Sequence, residues 1–190
     1  WKWNTILEFE NSIDDVIDIG CGDLSFWEGR NCSRYIGIDG SPTIISRNRN
    51  LRPSWEFILS SADILQPAQG KIVFCFDLLF HIIDDEIYKK ILYNLCKYSQ
   101  DWIFIYTWHK NPFRNIKIRY RVALKRIIDG NILNAIKVLL GSDTDYEYQK
   151  YRNLIDNLDI FEKNGFKLIK VIPIPYDSWG AMYVFRKLIS

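Results

Sequence analysis

The feature that most constrains the fold is a series of short apolar runs separated by polar stretches. Five runs in the first 108 residues have the nearly continuous apolar character of strands buried on both faces of a parallel sheet. They are Asp15–Ile19, Tyr35–Asp39, Trp55–Leu59, Lys71–Phe76 and Trp102–Trp108. Two later runs, Phe166–Ile172 and Trp179–Lys187, are separated by Pro-Ile-Pro-Tyr-Asp-Ser and predict an antiparallel hairpin.

Helical signals lie between these strands. Ser41-Pro42 provides the cap and the first-turn proline of a helix start. A second helix opens at Asp84-Asp85-Glu86 and runs through Lys97, with an apolar face. The alternation predicts an α/β fold with a doubly wound, mostly parallel seven-stranded sheet, whose antiparallel final strand lies at its edge.

The length and spacing indicate one domain with one insertion. A chain of 190 residues corresponds to a single domain over 1–190. The segment from about 109 to 150 is too long for a simple connection between a strand and a helix. Helical spacing over Ile118–Ile128 and Ile132–Leu140 predicts that this insertion is helical.

Composition excludes several classes of protein. A hydrophobic content of 48% excludes general disorder, and a net charge of +2 excludes a histone-like protein. The apolar runs are far shorter than the roughly 20 residues of a membrane span. The four cysteines form no C-x-x-C pair and no zinc-ligand pattern, which predicts reduced thiols, no metal site and a cytoplasmic location. Nothing in the sequence resembles a signal peptide.

A glycine turn follows the first strand, in Asp18-Ile19-Gly20-Cys21-Gly22-Asp23-Leu24. Glycines between a strand and a helix let the backbone approach a ligand and present amide donors. A dinucleotide-binding G-x-G-x-x-G turn needs a third glycine where this chain has Ser25. Asp18, two positions before Gly20, suits a ligand with a cationic amine better than a pyrophosphate.

Acidic residues follow the next two strands. Asp39 ends the second strand, 19 positions after Gly20, where a carboxylate can accept both hydroxyls of a ribose. Asp63 follows the third strand and is placed to accept from an adenine amino group. Ligands of open α/β sheets bind at this carboxyl edge, so the three acids predict one site.

These motifs resemble those of the class I S-adenosylmethionine-dependent methyltransferases. The resemblance rests on Asp18–Leu24, Gly37-Ile38-Asp39-Gly40-Ser41, Ala62-Asp63 and Phe76–Ile82. It covers most of the chain outside the insertion, and it differs at Leu24, where the family often has a third glycine. It implies S-adenosylmethionine as cofactor and a Rossmann-like methyltransferase fold. The implied cofactor contacts are Asp18, Gly20, Cys21 and Gly22 for the methionine part, Asp39, Gly40 and Ser41 for the ribose, Ala62 and Asp63 for the adenine, and the backbone of Asp77 and Leu78.

Two histidines are the candidate catalytic bases. His81 follows the fourth strand, in the region that faces the methyl-transfer centre in this family, and His109 follows the fifth strand. A neutral imidazole could remove a proton from an attacking hydroxyl or amine. The alternative is that both are packing residues, because methyl transfer can depend on alignment alone.

The insertion is strongly basic. Seven basic residues and no acid lie between Lys110 and Arg126, while residues 1–100 carry a net charge of −4. Three interpretations remain open: a lid that binds an anionic acceptor, a surface that contacts nucleic-acid phosphates, or a solvated helix face.

The sequence as a whole predicts an S-adenosylmethionine-dependent methyltransferase that acts on a small or medium-sized, anionic acceptor. The acceptor site would be formed by the Phe80-His81 loop, the Trp108-His109 strand end and the insertion. The alternatives are an RNA or DNA methyltransferase and a noncatalytic cofactor-binding subunit that activates a partner. Neither Asn-Pro-Pro-Tyr nor Asp-Pro-Pro-Tyr follows the fourth strand, which argues against methylation of adenine amino groups by that route.

Overall fold

A computed structural model describes residues 1–140, 145–146, 148–176 and 179–188. Residues 141–144 and 147 of the predicted insertion lie outside the described residues. Seven strands form the main sheet, and a pair of two-residue strands stands apart from it. In chain order the strands are β1 (Asp15–Ile19), β2 (Arg34–Asp39), β3 (Glu56–Leu59), β4 (Gly70–Phe76), β5 (Ser99–Trp108), β6 (Asp145–Tyr146), β7 (Gln149–Lys150), β8 (Phe166–Pro173) and β9 (Gly180–Lys187).

The main sheet confirms the predicted architecture, in the order β3-β2-β1-β4-β5-β9-β8. Strands β1 to β5 pair in parallel, and β9 is antiparallel to both β5 and β8. The antiparallel strand therefore lies one place inside the edge, and the prediction that it forms the edge itself is wrong. Strand β9, the second strand of the hairpin, pairs with β5, which leaves β8 at the edge.

Helices cover both faces of the sheet. One face packs against α3 and α6, and the opposite face packs against α1 and α2. The helices are α1 (Lys2–Leu7), α2 (Pro42–Leu51), α3 (Asp85–Tyr98), α4 (Ile116–Ile128), α5 (Ile132–Leu140) and α6 (Leu158–Lys163).

The predicted helix starts are present. Ser41 Oγ accepts a hydrogen bond from Ile44 N at 3.4 Å at the start of α2, and Asp84 accepts from Glu86 N and Ile87 N at 2.8 Å at the start of α3. The glycine turn, however, is not followed by a helix. A single 3-10 turn, Ser25–Trp27, takes that place, and Gly29 follows it with a positive φ of 67°, which is not helical.

The insertion forms a helical hairpin, α4–α5. Arg119 Nε donates to Val138 O at 2.9 Å and Arg126 Nη1 donates to Asn134 O at 3.3 Å, so the two helices run antiparallel. Its inner contact consists of the small or β-branched residues Val122, Ala123, Ala135 and Val138.

All four cysteines are buried and unpaired, in the cores on the two faces of the sheet. Among the described helices, none combines the length and the apolar character that crossing a membrane requires.

Candidate functional site

Several residues at the carboxyl edge of β1 and β4 have a positive φ, a backbone conformation that residues other than glycine rarely adopt. In the glycine turn, Gly20 and Gly22 have φ of 71° and 54°, and Leu24 has φ of 63°. Asp77, directly after β4, has φ of 57°. Leu24 and Asp77 are the non-glycine residues in the described chain with positive φ. Such conformations cost free energy and cluster at ligand-binding sites, which makes this edge the candidate site.

Asp18 is a buried carboxyl group at the centre of this edge. Its Oδ2 accepts from Tyr35 Oη at 2.9 Å and from Trp27 Nε1 at 3.1 Å. Burial raises the pKa of Asp18 to about 6, while the two hydrogen bonds and Lys2 act in the opposite direction. The carboxyl group therefore titrates close to neutral pH.

Asp39 holds the glycine turn to the start of α2. Its Oδ2 accepts from Gly22 N at 3.1 Å, and its Oδ1 accepts from Ser41 N at 2.8 Å. A carboxylate has about four acceptor sites, so these two bonds leave capacity for a ribose diol. Asn48 of α2 supports the same turn, because its Nδ2 donates to Gly22 O at 2.7 Å.

A cavity of about 460 Å³ opens beside the glycine turn. This volume lies within the usual range of ligand pockets. Five of the predicted cofactor residues line it: Asp18, Gly20, Cys21, Gly22 and Asp77. The other lining residues are Lys2, Asp23, Ser25, Phe26 and Phe76.

The other predicted cofactor residues are not among those that line this cavity. Gly40 is exposed after β2, and Ser41 is used as the cap of α2. Ala62 packs on the core, and its carbonyl accepts from Asn94 Nδ2 of α3 at 2.9 Å. Asp63 accepts from Ser61 Oγ at 2.5 Å, and the Leu78 side chain lies 3.1 Å from where a Cβ on Gly20 would be. Their roles in cofactor binding stay predictions.

Lys2 is the site residue that sequence reasoning missed. It pairs with Asp77, and its ammonium lies 4.1 Å from the ring centre of Tyr106 and 5.3 Å from that of Phe76. A cation above aromatic faces beside a carboxylate is a favourable arrangement. No local pattern in the sequence indicates this role, because Lys2 and Asp77 are 75 positions apart.

The residues present fit the methionine part of S-adenosylmethionine. A Cβ built on Gly22 would meet no neighbouring atom closer than 3.9 Å. The absence of a side chain at this position therefore leaves room in the cavity. Asp18, Asp23 and Asp77 supply negative charge, and Phe26 and Phe76 supply aromatic surface, where the cofactor carries an ammonium and a sulfonium.

An aromatic pair adjoins the first candidate base. Phe80 stacks on Trp108, with ring centres 4.8 Å apart and planes inclined by 9°. His81 is exposed beside Phe80, and its Nδ1 lies 3.3 Å from Tyr148 O. The predicted Phe80-His81 loop and the end of β5 are therefore brought together at one edge.

The second candidate base borders a different cavity. His109 Nδ1 lies 3.3 Å from Tyr183 Oη, and burial raises the pKa of Tyr183 well above its usual range. Together with Lys110 and Arg114, His109 lines a cavity of about 420 Å³. Neither histidine lines the cavity at the glycine turn. The basic side chains here provide a surface suited to an anion.

The segment 148–153 joins the two histidine loops. Arg152 is 11% exposed; it donates to the carbonyls of Ile82 and Ile83, pairs with Asp85 at 2.7 Å and lies over the ring of Tyr88. The neighbouring Tyr151 Oη donates to His109 O at 3.4 Å. Among the described residues, histidine, cysteine and acidic side chains form no group of three that could hold a metal ion.

Comparison with known proteins gives matches in structure. Neither protein-family models nor curated protein sequences match the chain. The methyltransferase domain of bacterial CtHen1-C is 16% identical, with a TM-score of 0.66, over 98% of this chain and 96% of that one. An S-adenosylmethionine-dependent methyltransferase from Clostridium acetobutylicum is 11% identical, with a TM-score of 0.66, over 99% and 90%. Magnesium protoporphyrin IX methyltransferase from Synechocystis, solved with S-adenosylhomocysteine, is 13% identical, with a TM-score of 0.65, over 98% and 80%.

These identities are too low to carry an activity or an acceptor from one chain to another, but the alignments span nearly the whole of this chain. The chain therefore has the fold of the class I S-adenosylmethionine-dependent methyltransferases, as the motifs in its sequence predict.

Proposed function

We propose that this protein is an S-adenosylmethionine-dependent methyltransferase acting on a small or medium-sized acceptor. The observation that carries the proposal is the cavity at the glycine turn, where bare backbone, the Asp18 and Asp77 carboxylates and aromatic rings meet. The fold supports the same cofactor, since solved structures of similar fold contain S-adenosylmethionine or S-adenosylhomocysteine.

In this proposal the chain binds and orients the cofactor and the acceptor, and it performs little covalent chemistry itself. The bound cofactor would supply a methyl group on a positively charged sulfur. Asp18 would hold the ammonium of the methionine part, and Asp39 the ribose hydroxyls. The glycine turn, fixed by Asp39 and Asn48, would keep these contacts in register. Alignment of this kind can supply much of the rate acceleration.

The acceptor would lie on the side of β5. The Phe80–Trp108 stack offers a flat apolar surface, and the cavity of His109, Lys110 and Arg114 offers positive charge. We therefore propose an acceptor with an aromatic or apolar body and an anionic group. His81 or His109 would take the acceptor proton.

Calorimetric titration with S-adenosylmethionine tests the cofactor assignment. Asp39→Ala should weaken binding by about 1.5–3 kcal/mol, because it removes charge-assisted hydrogen bonds to the ribose and loosens the turn. Gly20→Val should abolish binding, because φ is positive and Leu78 is already close. Asp129→Ala, an exposed acid after α4, is the matched control and should bind as the unaltered chain does. Unchanged affinity in both site variants would refute the cofactor site.

Turnover separates an enzyme from a noncatalytic subunit. Formation of S-adenosylhomocysteine should appear when aromatic carboxylates or phenols are added, and Arg114→Gln should raise KM for anionic acceptors alone. Tight cofactor binding without turnover on any acceptor would favour a noncatalytic subunit. Turnover on RNA or DNA instead would favour a nucleic-acid methyltransferase.

A further inference from the structure

The α4–α5 hairpin turns its large aliphatic side chains outward. Its two helices meet through Val122, Ala123, Ala135 and Val138. Ile116, Ile128, Leu133 and Leu140 are 76%, 80%, 77% and 76% exposed. A hairpin surrounded by water buries its largest apolar side chains first, so this arrangement is reversed from the usual one.

The exposed aliphatic residues form one face. The stripe on α4 consists of three residues about one turn apart: Ile116, Tyr120 and Leu124. The stripe on α5 has the same spacing and consists of Ile132, Ile136 and Leu140. At about 100° per residue, each stripe is rotated about its helix axis by a similar angle, in the same direction along the chain, from the residues that contact the other helix. Because the two helices run antiparallel, these two rotations point to the same side of the hairpin. Both stripes therefore face the same side of the hairpin, which we call the apolar face.

Cations flank the apolar face. Lys117, Arg121 and Lys125 are exposed on α4, each one position after a residue of the apolar stripe. Between residues 110 and 140 the sequence has eight basic residues and one acid, Asp129. An apolar face bordered by Lys and Arg is complementary to the surface of an anionic bilayer, with acyl chains below and phosphates alongside.

Two other occupants match this surface less well. A second copy of the chain, docked with α4 against α4, would bring the Lys117–Arg121–Lys125 stripe against its own like charges. Docked with α4 against α5, the stripe would find no acidic partner, because α5 contains no acid. A nucleic acid would satisfy the cations and leave the aliphatic side chains exposed to water. We propose that the α4–α5 hairpin is a docking surface for the anionic face of a lipid bilayer.

Cosedimentation with vesicles tests this proposal on the full chain. The protein should pellet with vesicles of equal parts phosphatidylcholine and phosphatidylglycerol, and remain in solution with phosphatidylcholine alone. Added salt should reduce the binding, since exposed charges are screened over about 8–10 Å at physiological ionic strength. A Tyr120→Trp reporter should shift its emission to the blue when the anionic vesicles are added.

Variants assign the binding to the hairpin. Ile136→Asp with Leu140→Asp should weaken vesicle binding by about ten-fold or more, and so should Lys117→Glu with Arg121→Glu. Leu51→Asp and Lys167→Glu alter exposed residues elsewhere and should bind as the unaltered chain does. Circular dichroism melts verify that each variant folds.

Three results would overturn the proposal. The first is the absence of pelleting with the anionic vesicles. The second is pelleting that the Ile136/Leu140 pair of substitutions does not alter. The third is a dimer in light scattering that the same pair converts to a monomer, which would assign the apolar face to a second copy. None of these readouts depends on methyl transfer, so the proposed activity and the docking surface fail or stand separately.

Discussion

Asp18 is a carboxyl group whose ionisation is controlled by its burial. Its pKa of about 6 lies above the ordinary value near 4, so the folded chain binds this proton more tightly than the unfolded chain. Its contribution to the free energy of unfolding is therefore fully present below about pH 4 and is lost as the pH rises through about 6.

Cofactor binding should have the opposite pH dependence. If the ionised Asp18 carboxylate holds the cofactor ammonium, affinity for S-adenosylmethionine should fall about ten-fold between about pH 7.5 and about pH 5, as the carboxyl group becomes protonated. Titration across this range is the measurement, and Asp18→Asn should bind weakly at every pH. An affinity that does not vary with pH in the unaltered chain would remove Asp18 from the contact.

Leu24 occupies a position where a glycine would relieve backbone strain. Its left-handed conformation costs about 1–2 kcal/mol, but its side chain is only 5% exposed and packs in the core beside Trp27. Truncating a buried leucine costs about 2–5 kcal/mol. Leu24→Gly should therefore lower the free energy of unfolding by about 1–3 kcal/mol in urea. Stabilisation by this change would mean that strain outweighs packing at this position.

Among the helices, α1 closes one side of the cavity at the glycine turn. Trp3 packs against Phe26 and Trp27, and Ile6 is fully buried, so the helix is anchored to the α2 face of the sheet. This anchoring holds the Lys2 ammonium against Asp77 inside the cavity.

Lys2 and the cofactor should compete for the same negative charge. Removing Lys2 makes the cavity more negative, which favours S-adenosylmethionine, with its sulfonium, over S-adenosylhomocysteine, which lacks that charge. Lys2→Met should raise the affinity for S-adenosylmethionine about two- to five-fold, the scale of a partly exposed charge pair, and leave S-adenosylhomocysteine nearly unchanged. An equal loss of affinity for both ligands would mean that Lys2 binds their shared carboxylate instead.

Across the molecule, the reactivity of the cysteine thiols measures how well the two cores exclude solvent. Burial raises the pKa of every cysteine thiol, that of Cys32 to about 12. At about pH 8 the native chain should react very slowly with a thiol reagent, and all four thiols should react after unfolding in denaturant. Rapid labelling of Cys32, Cys75 or Cys96, which unlike Cys21 do not line the cavity at the glycine turn, would show that one of the cores opens readily.

Local sequence patterns predict the sheet and the residues along its carboxyl edge. Strand β1 runs over Asp15–Ile19 as predicted, and the other main-sheet strands begin or end within three residues of the predicted positions. These features are local: a buried parallel strand must be apolar, and a turn with positive φ favours glycine, whatever the rest of the chain does. The positions of Asp18, Asp39, Asp63 and Asp77 at the ends of strands follow from the same patterns.

Tertiary packing determines which contacts these residues make. Helices α1 and α6 have six residues each, too short for a clear periodic signal, and they form because the sheet packs against them. The left-handed conformation of Leu24 is tolerated because the side chain is buried, which no local rule predicts. Arg119 belongs to the seven-cation cluster in the sequence, yet it bonds to Val138 O and so holds the hairpin together. Lys2 and Asp77 are 75 positions apart in the sequence, so their contact exists only once the sheet has assembled.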